Sequence, residues 1–432
     1  MFVSECLNVN EKGHLTVGGA DAVSLAQQYG TPLYVMDEKT IRESCRAFQR
    51  SIDEYFDGFG RVIFASKAFN CMEMCRIMNQ ENMGLDVVSH GELYTAVKAG
   101  FPADRIYFHG NNKTEEELRL ALETGVERIV VDNLVELKNL DALAEAMGKH
   151  ANILFRIKPG IDAHTHDFVK TGQIDSKFGF ALETGEAMEA IKATISLAHV
   201  TLKGIHCHIG SQIFDTDPFV LAAEVLLKLM SDVKKETGLQ LAELNLGGGY
   251  GIRYIASHDA KAYGDFMKAV SGAVKAKAQE YGMPVPFICI EPGRSIAGPA
   301  GVTLYTVGCV KTIPNIRTYV SIDGGMTDNP RYALYGSEYT VLVANKANEA
   351  ATETVTVAGR CCESGDLIQE HTAVQPVAIG DTLAVLATGA YNYSMSSNYN
   401  RIPKPPIVMV NDGQSRVIVK RETLEDIIRN DV

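Results

Sequence analysis

The sequence predicts an α/β chain of two domains: a (β/α)8 TIM-type barrel and a second, all-β domain of β-sandwich or barrel-like form. Three observations predict it. Short apolar runs alternate with helix-period segments, the alternation reaches eight strands, and after about residue 300 the helices give way to β-branched runs. At 432 residues the chain is also long for a single core.

In chain order, the first thirty residues hold short apolar pieces broken by glycines, with one short helix over 24–29. Pro32-Leu-Tyr-Val-Met36 reads as a strand and 38–55 as an amphipathic helix. Strand-like runs follow at 62–66, 84–88, 105–109, 128–131, 153–157, 202–208, 243–246 and 287–290. Helix-period segments lie between them at 72–80, 92–98, 115–124, 134–147, 183–196, 219–236 and 260–281. Buried strands alternating with helices argue for a parallel sheet, and eight such units fit a closed barrel of about 250 residues. An open doubly wound sheet is the alternative, but no G-x-G-x-x-G follows the first strand. The runs at 302–311, 319–322, 340–344, 353–358 and 382–387 form the second domain, with a last helix over 423–429. The expected division is a barrel over 36–295 and a β domain from 1–35 and 296–432.

Composition narrows the function. A net charge of -12 disfavours a nucleic-acid partner. No window has the apolar length of a membrane span, and the first residues lack the layout of a signal peptide. Nine cysteines at irregular spacings read as free thiols. A cytoplasmic protein is the expectation.

Chemistry in such a barrel sits at the C-terminal strand ends. Those ends carry Lys67, Asp86, His109-Gly-Asn111, Asp132, Arg156, His208, Gly247-Gly-Gly249 and Glu291-Pro-Gly-Arg294. Lys67 ends an apolar run, where a charge is costly to bury. It either snorkels out or is neutralised covalently, as a lysine amine is when it condenses with an aldehyde. Three glycines allow close backbone approach and an N–H nest for an anion, or simply a tight turn. Glu291 and Arg294 are a structural pair, or a carboxylate for a pyridine nitrogen beside a fork for a carboxylate or phosphate. His206 and His208 lie two apart and could ligate a metal with Asp86 or Asp132 in a barrel hydrolase. Alternatively His208 stacks on a cofactor ring and Ser211 donates to its phosphate. Cys71 and Cys75 have helical spacing and read as core. Cys361 and Cys362 read as small buried hydrophobes, or as a thiol acid beside Glu363 and Asp366.

Several stretches taken in order carry a resemblance. They are Phe64-Ala-Ser-Lys67-Ala-Phe69, Asp86-Val-Val-Ser89 with Gly91 and Glu92, Asp162-Ala-His-Thr-His166 running to Asp175-Ser-Lys-Phe-Gly179, and His206-Cys-His-Ile-Gly-Ser211. Gly247-Gly-Gly249, Glu291-Pro-Gly-Arg294, Asn329-Pro-Arg331-Tyr-Ala-Leu-Tyr335, Cys362-Glu-Ser-Gly-Asp366 and Gly389-Ala-Tyr391 complete the set. Over nearly its whole length the chain resembles the fold type III decarboxylases that use pyridoxal 5'-phosphate (PLP), most closely the branch that makes lysine from diaminopimelate. Two departures are Ser89-His90-Gly91 for a more usual Ser-Gly-Gly, and Arg401-Ile-Pro-Lys-Pro405 for the commoner Arg-Pro-Arg-Pro ending.

The resemblance implies a role for each matching position. Lys67 is the Schiff-base lysine, and His208 stacks on the cofactor ring. Glu291 meets the ring nitrogen. Ser211, Gly247, Gly248, Gly249, Gly293, Arg294 and Tyr391 line the phosphate site. Arg294, Arg331, Tyr335, Glu363 and Tyr391 contact an amino acid substrate. Cys362 is the proton donor, and a homodimer shares its active sites by lending Cys362 and Glu363 to the partner barrel. Diaminopimelate carries both an amine and a carboxylate at its far end, and Arg294, Arg331 and Glu363 supply the matching charges. The alternatives are a decarboxylase of another basic amino acid such as ornithine or arginine, a barrel racemase, and a non-catalytic homologue that binds a partner protein. The stretch 162–177, with two histidines, is either a lid or a rigid packing element.

Overall fold

The computed structural model describes residues 2–161 and 175–432. These pack into two compact units, one of Ser44–Gly251 with Ala260–Gly293, the other of Met1–Glu43, Ile252–Asp259 and Arg294–Val432. The sequence places the division at 35/36 and 295/296; packing places it at 43/44 and 293/294 and moves Ile252–Asp259 to the second unit. That move has a local cause: Thr340 donates its backbone N–H to the Tyr254 carbonyl, and Tyr254 joins the apolar core of that unit.

The first unit is a closed barrel. Its strands are β1 (Gly60–Ala65), β2 (Gly84–Val87), β3 (Ile106–Phe108), β4 (Arg128–Val131), β5 (Ala151–Lys158), β6 (Val200–His206), β7 (Glu243–Asn245) and β8 (Phe287–Ile290). Each pairs in parallel with the next, β8 pairs with β1, and the ring is complete. Helices α1 (Met72–Gln80), α2 (His90–Lys98), α3 (Glu115–Thr124), α4 (Leu134–Met147), α5 (Glu186–Thr194), α6 (Asp217–Thr237) and α7 (Tyr263–Glu280) fall between the strands. Most strand residues are buried, as expected where a parallel sheet is covered on both faces. Local sequence fixes the helix ends. Ser89 caps α2, Thr114 and Glu117 form a capping box on α3, and Asn133 caps α4. Gly204 on β6 is needed for packing alone: a Cβ there would run into the Glu243 backbone.

The second unit is built of sheets. Gly301–Ile313 is its longest strand, antiparallel to Arg317–Ile322, Leu33–Asp37 and Thr382–Leu386. Leu33–Asp37 pairs in parallel with Ile407–Asn411, so the two ends of the chain meet in one sheet. The strands Leu367–Val374, Ile407–Asn411 and Gln414–Val419 add to those read from the sequence. Among the described residues no helix is long and apolar enough to cross a membrane.

Candidate active site

The barrel unit gathers its polar groups at the C-terminal strand ends. Glu291, directly after β8, is the centre of the buried set. His206, the last residue of β6, places Nε2 3.0 Å from Glu291 Oε2. Asn245, the last residue of β7, donates Nδ2–H to Oε1 at 2.7 Å. His109, after β3, places Nε2 2.9 Å from Oε1. Asp86 Oδ1 lies 3.8 Å from His109 Nε2. Burial alone would raise the Glu291 carboxyl, but the His109 and His206 imidazoles override it and hold the group well below the usual range. Burial drives His206 down to about 4, so this imidazole supports the carboxylate as a neutral donor. Asp86 is pushed up, first by burial. Each of these residues is buried.

Lys67 sits in the short turn Ser66–Ala68 just after β1 and is half-buried. Among the described residues it makes no hydrogen bond or ion pair, and its charge acts on Asp86, Glu92 and His208. The turn is pinned from the start of α2: Glu92 Oε2 accepts from Ser66 Oγ at 3.0 Å and from the Val88 N–H at 2.8 Å. A Cβ on Gly293 would meet the Ala65 carbonyl at 2.9 Å, so glycine lets the segment after β8 lie close to the end of β1. His90, the departure in the loop after β2, opens α2 and gives its N–H to Glu117 at 2.9 Å. Its backbone needs no glycine.

The glycine loop after β7 has two jobs. A Cβ on Gly247, Gly248 or Gly249 would collide with the backbone of Cys207, Glu291 or Gly210 respectively, so all three permit close loop packing. The expected nest of free N–H groups is only partly available. Gly247 donates its N–H to Asn245 Oδ1 at 2.9 Å, and Gly248 points its N–H at His208 Nδ1 at 3.4 Å. His208 is half-buried, and burial followed by the Lys67 charge holds its imidazole well below the ordinary value. His206 turns Nε2 to Glu291, and His208 accepts at Nδ1 from the Gly248 N–H. The close group is His109, His206 and Glu291, with ligand atoms within 4.8 Å of one another.

The second unit holds a cation cluster. Arg294 donates to Tyr254 Oη at 2.6 Å and lies 4.7 Å from the Tyr391 ring centre. Arg331 donates to Tyr339 Oη at 2.8 Å and to Ser337 Oγ at 3.2 Å, and lies over the Tyr254 ring. Both guanidinium groups are buried. Tyr254 is lowered from its ordinary value because the two arginines outweigh burial, which alone would raise it. Tyr335, on the short helix Arg331–Tyr335, and Tyr391 are half-buried. Cys362 and Glu363 are exposed. Their loop is tied down by Asp366, which accepts from the N–H groups of Met326 at 2.6 Å and Cys361 at 2.7 Å. Cys362 gives its own N–H to Asn400 at 2.7 Å. Burial pushes the neighbouring Cys361 up to about 11.

Residues 38–298 match the family described as "Pyridoxal-dependent decarboxylase, pyridoxal binding domain". Diaminopimelate decarboxylase of Bacillus subtilis is 49% identical over 435 residues, covering 100% of this chain and 98% of that one. This chain belongs to the diaminopimelate decarboxylase family. The crystal structure of diaminopimelate decarboxylase from M. jannaschii in complex with L-lysine is similar with a TM-score of 0.93 at 33% identity, covering 100% of this chain and 99% of that one. A lysine/ornithine decarboxylase from Vibrio vulnificus, complexed with putrescine, shares the fold at 22% identity and TM-score 0.76, covering 90% of this chain and 97% of that one.

PLP is the cofactor of the decarboxylase family, and the residues fit it on the geometry above. The fit rests on a half-buried lysine with no partner among the described residues, a carboxylate kept ionised at the end of β8, and a low-lying imidazole between them in the strand order. Sequence reasoning did not single out His109, His206 and Asn245 as supports of Glu291. Their strand-end positions were the available signal. Which of them converge depends on ring closure.

Proposed function

We propose that this protein decarboxylates meso-diaminopimelate to L-lysine and carbon dioxide with PLP, the closing step of lysine biosynthesis. The observation that carries the reading is the buried Glu291, held well below the usual carboxylate range, in a relative of the diaminopimelate decarboxylases matched over its whole length, whose barrel also offers a Lys67 with no partner among the described residues.

The cofactor, when bound, supplies an electron sink for the pair left as carbon dioxide departs. Lys67 would hold it through its amine. Glu291 keeps a proton on the ring nitrogen, which makes the sink effective. His208, held neutral, lays an uncharged face against the ring. Ser211, Gly248, Gly249, Arg294 and Tyr391 hold the phosphate. Cys362 delivers one proton to the carbon that has lost its carboxylate, so that atoms and charge balance in lysine. Arg294 and Arg331 hold the distal carboxylate, Glu363 the distal ammonium, and Tyr335 packs on the chain between. Cys362 and Glu363 are exposed in one chain, which suits a homodimer in which each loop completes the other subunit's site. The protein works in the cytoplasm, with no nucleic acid or membrane partner.

The test is lysine formation from meso-diaminopimelate with added PLP, beside ornithine and a Lys67→Ala control. Lysine from diaminopimelate, lost in the control, is expected. Equal turnover of ornithine would overturn the distal-charge argument, and no product with no cofactor uptake would overturn the decarboxylase reading.

A further inference from the structure

We propose that Asn245 is a positioning residue that couples the ring-nitrogen carboxylate to the glycine loop, so that cofactor affinity depends on its amide as a unit. The inference rests on the proposed cofactor site and names a group outside it. Asn245 is fully buried at the end of β7. Its Nδ2–H goes to Glu291 Oε1 at 2.7 Å and its Oδ1 takes the Gly247 N–H at 2.9 Å. The backbone repeats the link, because Glu291 gives its N–H to the Gly247 carbonyl at 2.8 Å. One planar amide therefore sets both the orientation of Glu291 and the course of the chain into Gly248 and Gly249.

The amide does both without a pH penalty. A donor must face Glu291 and an acceptor must face Gly247, at fixed separation, from a side chain that is fully buried. An amide meets this at every pH. A carboxylic acid meets it only while protonated, since two ionised carboxylates at this distance repel. Leucine has the shape and neither function.

The experiment uses full-length apoprotein and measures PLP affinity by visible absorbance, not turnover. Asn245→Leu is expected to bind about a hundredfold more weakly across the pH range, since two buried partners lose a hydrogen bond. Asn245→Asp is expected to bind within about threefold of wild type near pH 6, and to fall about tenfold or more towards pH 9 as the introduced carboxyl loses its proton. Wild type should lack that slope. Circular dichroism checks that each variant folds, and the pH arm stands even if Asn245→Leu does not. Equal affinity of Asn245→Leu and wild type, or a flat Asn245→Asp profile, would overturn the inference while leaving the cofactor site intact. Failure of wild type to take up PLP would overturn both.

Discussion

The barrel unit buries an anion and the sheet unit buries cations, and the two use the same device with opposite signs. Glu291 is held by an asparagine amide and a neutral His206, with His109 close by. Arg331 is held by a tyrosine and a serine hydroxyl and lies over a second tyrosine; among the described residues it has no carboxylate partner. A fully formed buried ion pair would have cancelled each charge internally and left little for a ligand. Lys113 and Glu136 show that contrast within the barrel itself: their ion pair at 2.7 Å, with side chains 1% and 3% exposed, is structural and closed. Glu291, with imidazoles at 2.9 and 3.0 Å and an amide at 2.7 Å, and Arg331, with two hydroxyls, have no such lysine or carboxylate partner among the described residues.

Breaking the anion should cost most. Glu291→Gln is expected to lower kcat for diaminopimelate about a thousandfold with little change in KM, because the ring-nitrogen proton loses its counter-charge. Steady-state kinetics at saturating PLP reads this. A change confined to KM would count against the assignment. Breaking the cation should act on substrate choice instead. Arg331→Met is expected to reduce kcat/KM for diaminopimelate about a hundredfold and leave the low rate with ornithine almost unchanged. A parallel fall for both substrates would mean that Arg331 serves the fold rather than the distal carboxylate.

A milder change sharpens the comparison. Tyr339→Phe removes the hydroxyl that accepts from Arg331 and should raise KM about tenfold, the cost of one hydrogen bond to a charged group. Smallest is the effect at Glu92, whose carboxyl is raised to about 7, chiefly by burial. The folded protein then binds a proton that the unfolded chain has released, so this group's contribution to stability falls as pH rises from about 4.5 through about 7. In Glu92→Gln that part of the decline should vanish, seen as a flatter urea midpoint against pH. A steeper decline would contradict the sign.

The barrel was legible because each of its strands is a short apolar run closed by a polar or glycine cluster. All eight observed strands overlap the runs read from sequence, and Cys71 and Cys75 are core as read. The sheets were less legible. Leu367–Val374 interleaves Gln369, Glu370 and His371, and Ile407–Asn411 follows prolines, so neither shows a clean pattern. The pairing of Leu33–Asp37 with Ile407–Asn411 spans nearly the whole chain and leaves no local trace. At the proposed site, motif alone led to Lys67, His208 and Glu291, and the structure puts each at the C-terminal end of a barrel strand. The ring of donors around Glu291 was not so read, because His109, His206 and Asn245 meet only when β3, β6, β7 and β8 close into one barrel. Residues 162–174, the centre of the lid question, lie outside the described residues.

The closed pair also bears on chemical selectivity. Lys113 spends its three N–H bonds on the carbonyls of Gly110 and Val130 and on Glu136. An amine so occupied has no lone pair to offer an electrophile. Lys67, on the next strand but one, has no such commitments among the described residues. Lys113 is thus closed to an electrophile by its own hydrogen bonds, whereas Lys67 keeps no such bonds among the described residues, and the proposed roles of the two lysines follow from that difference.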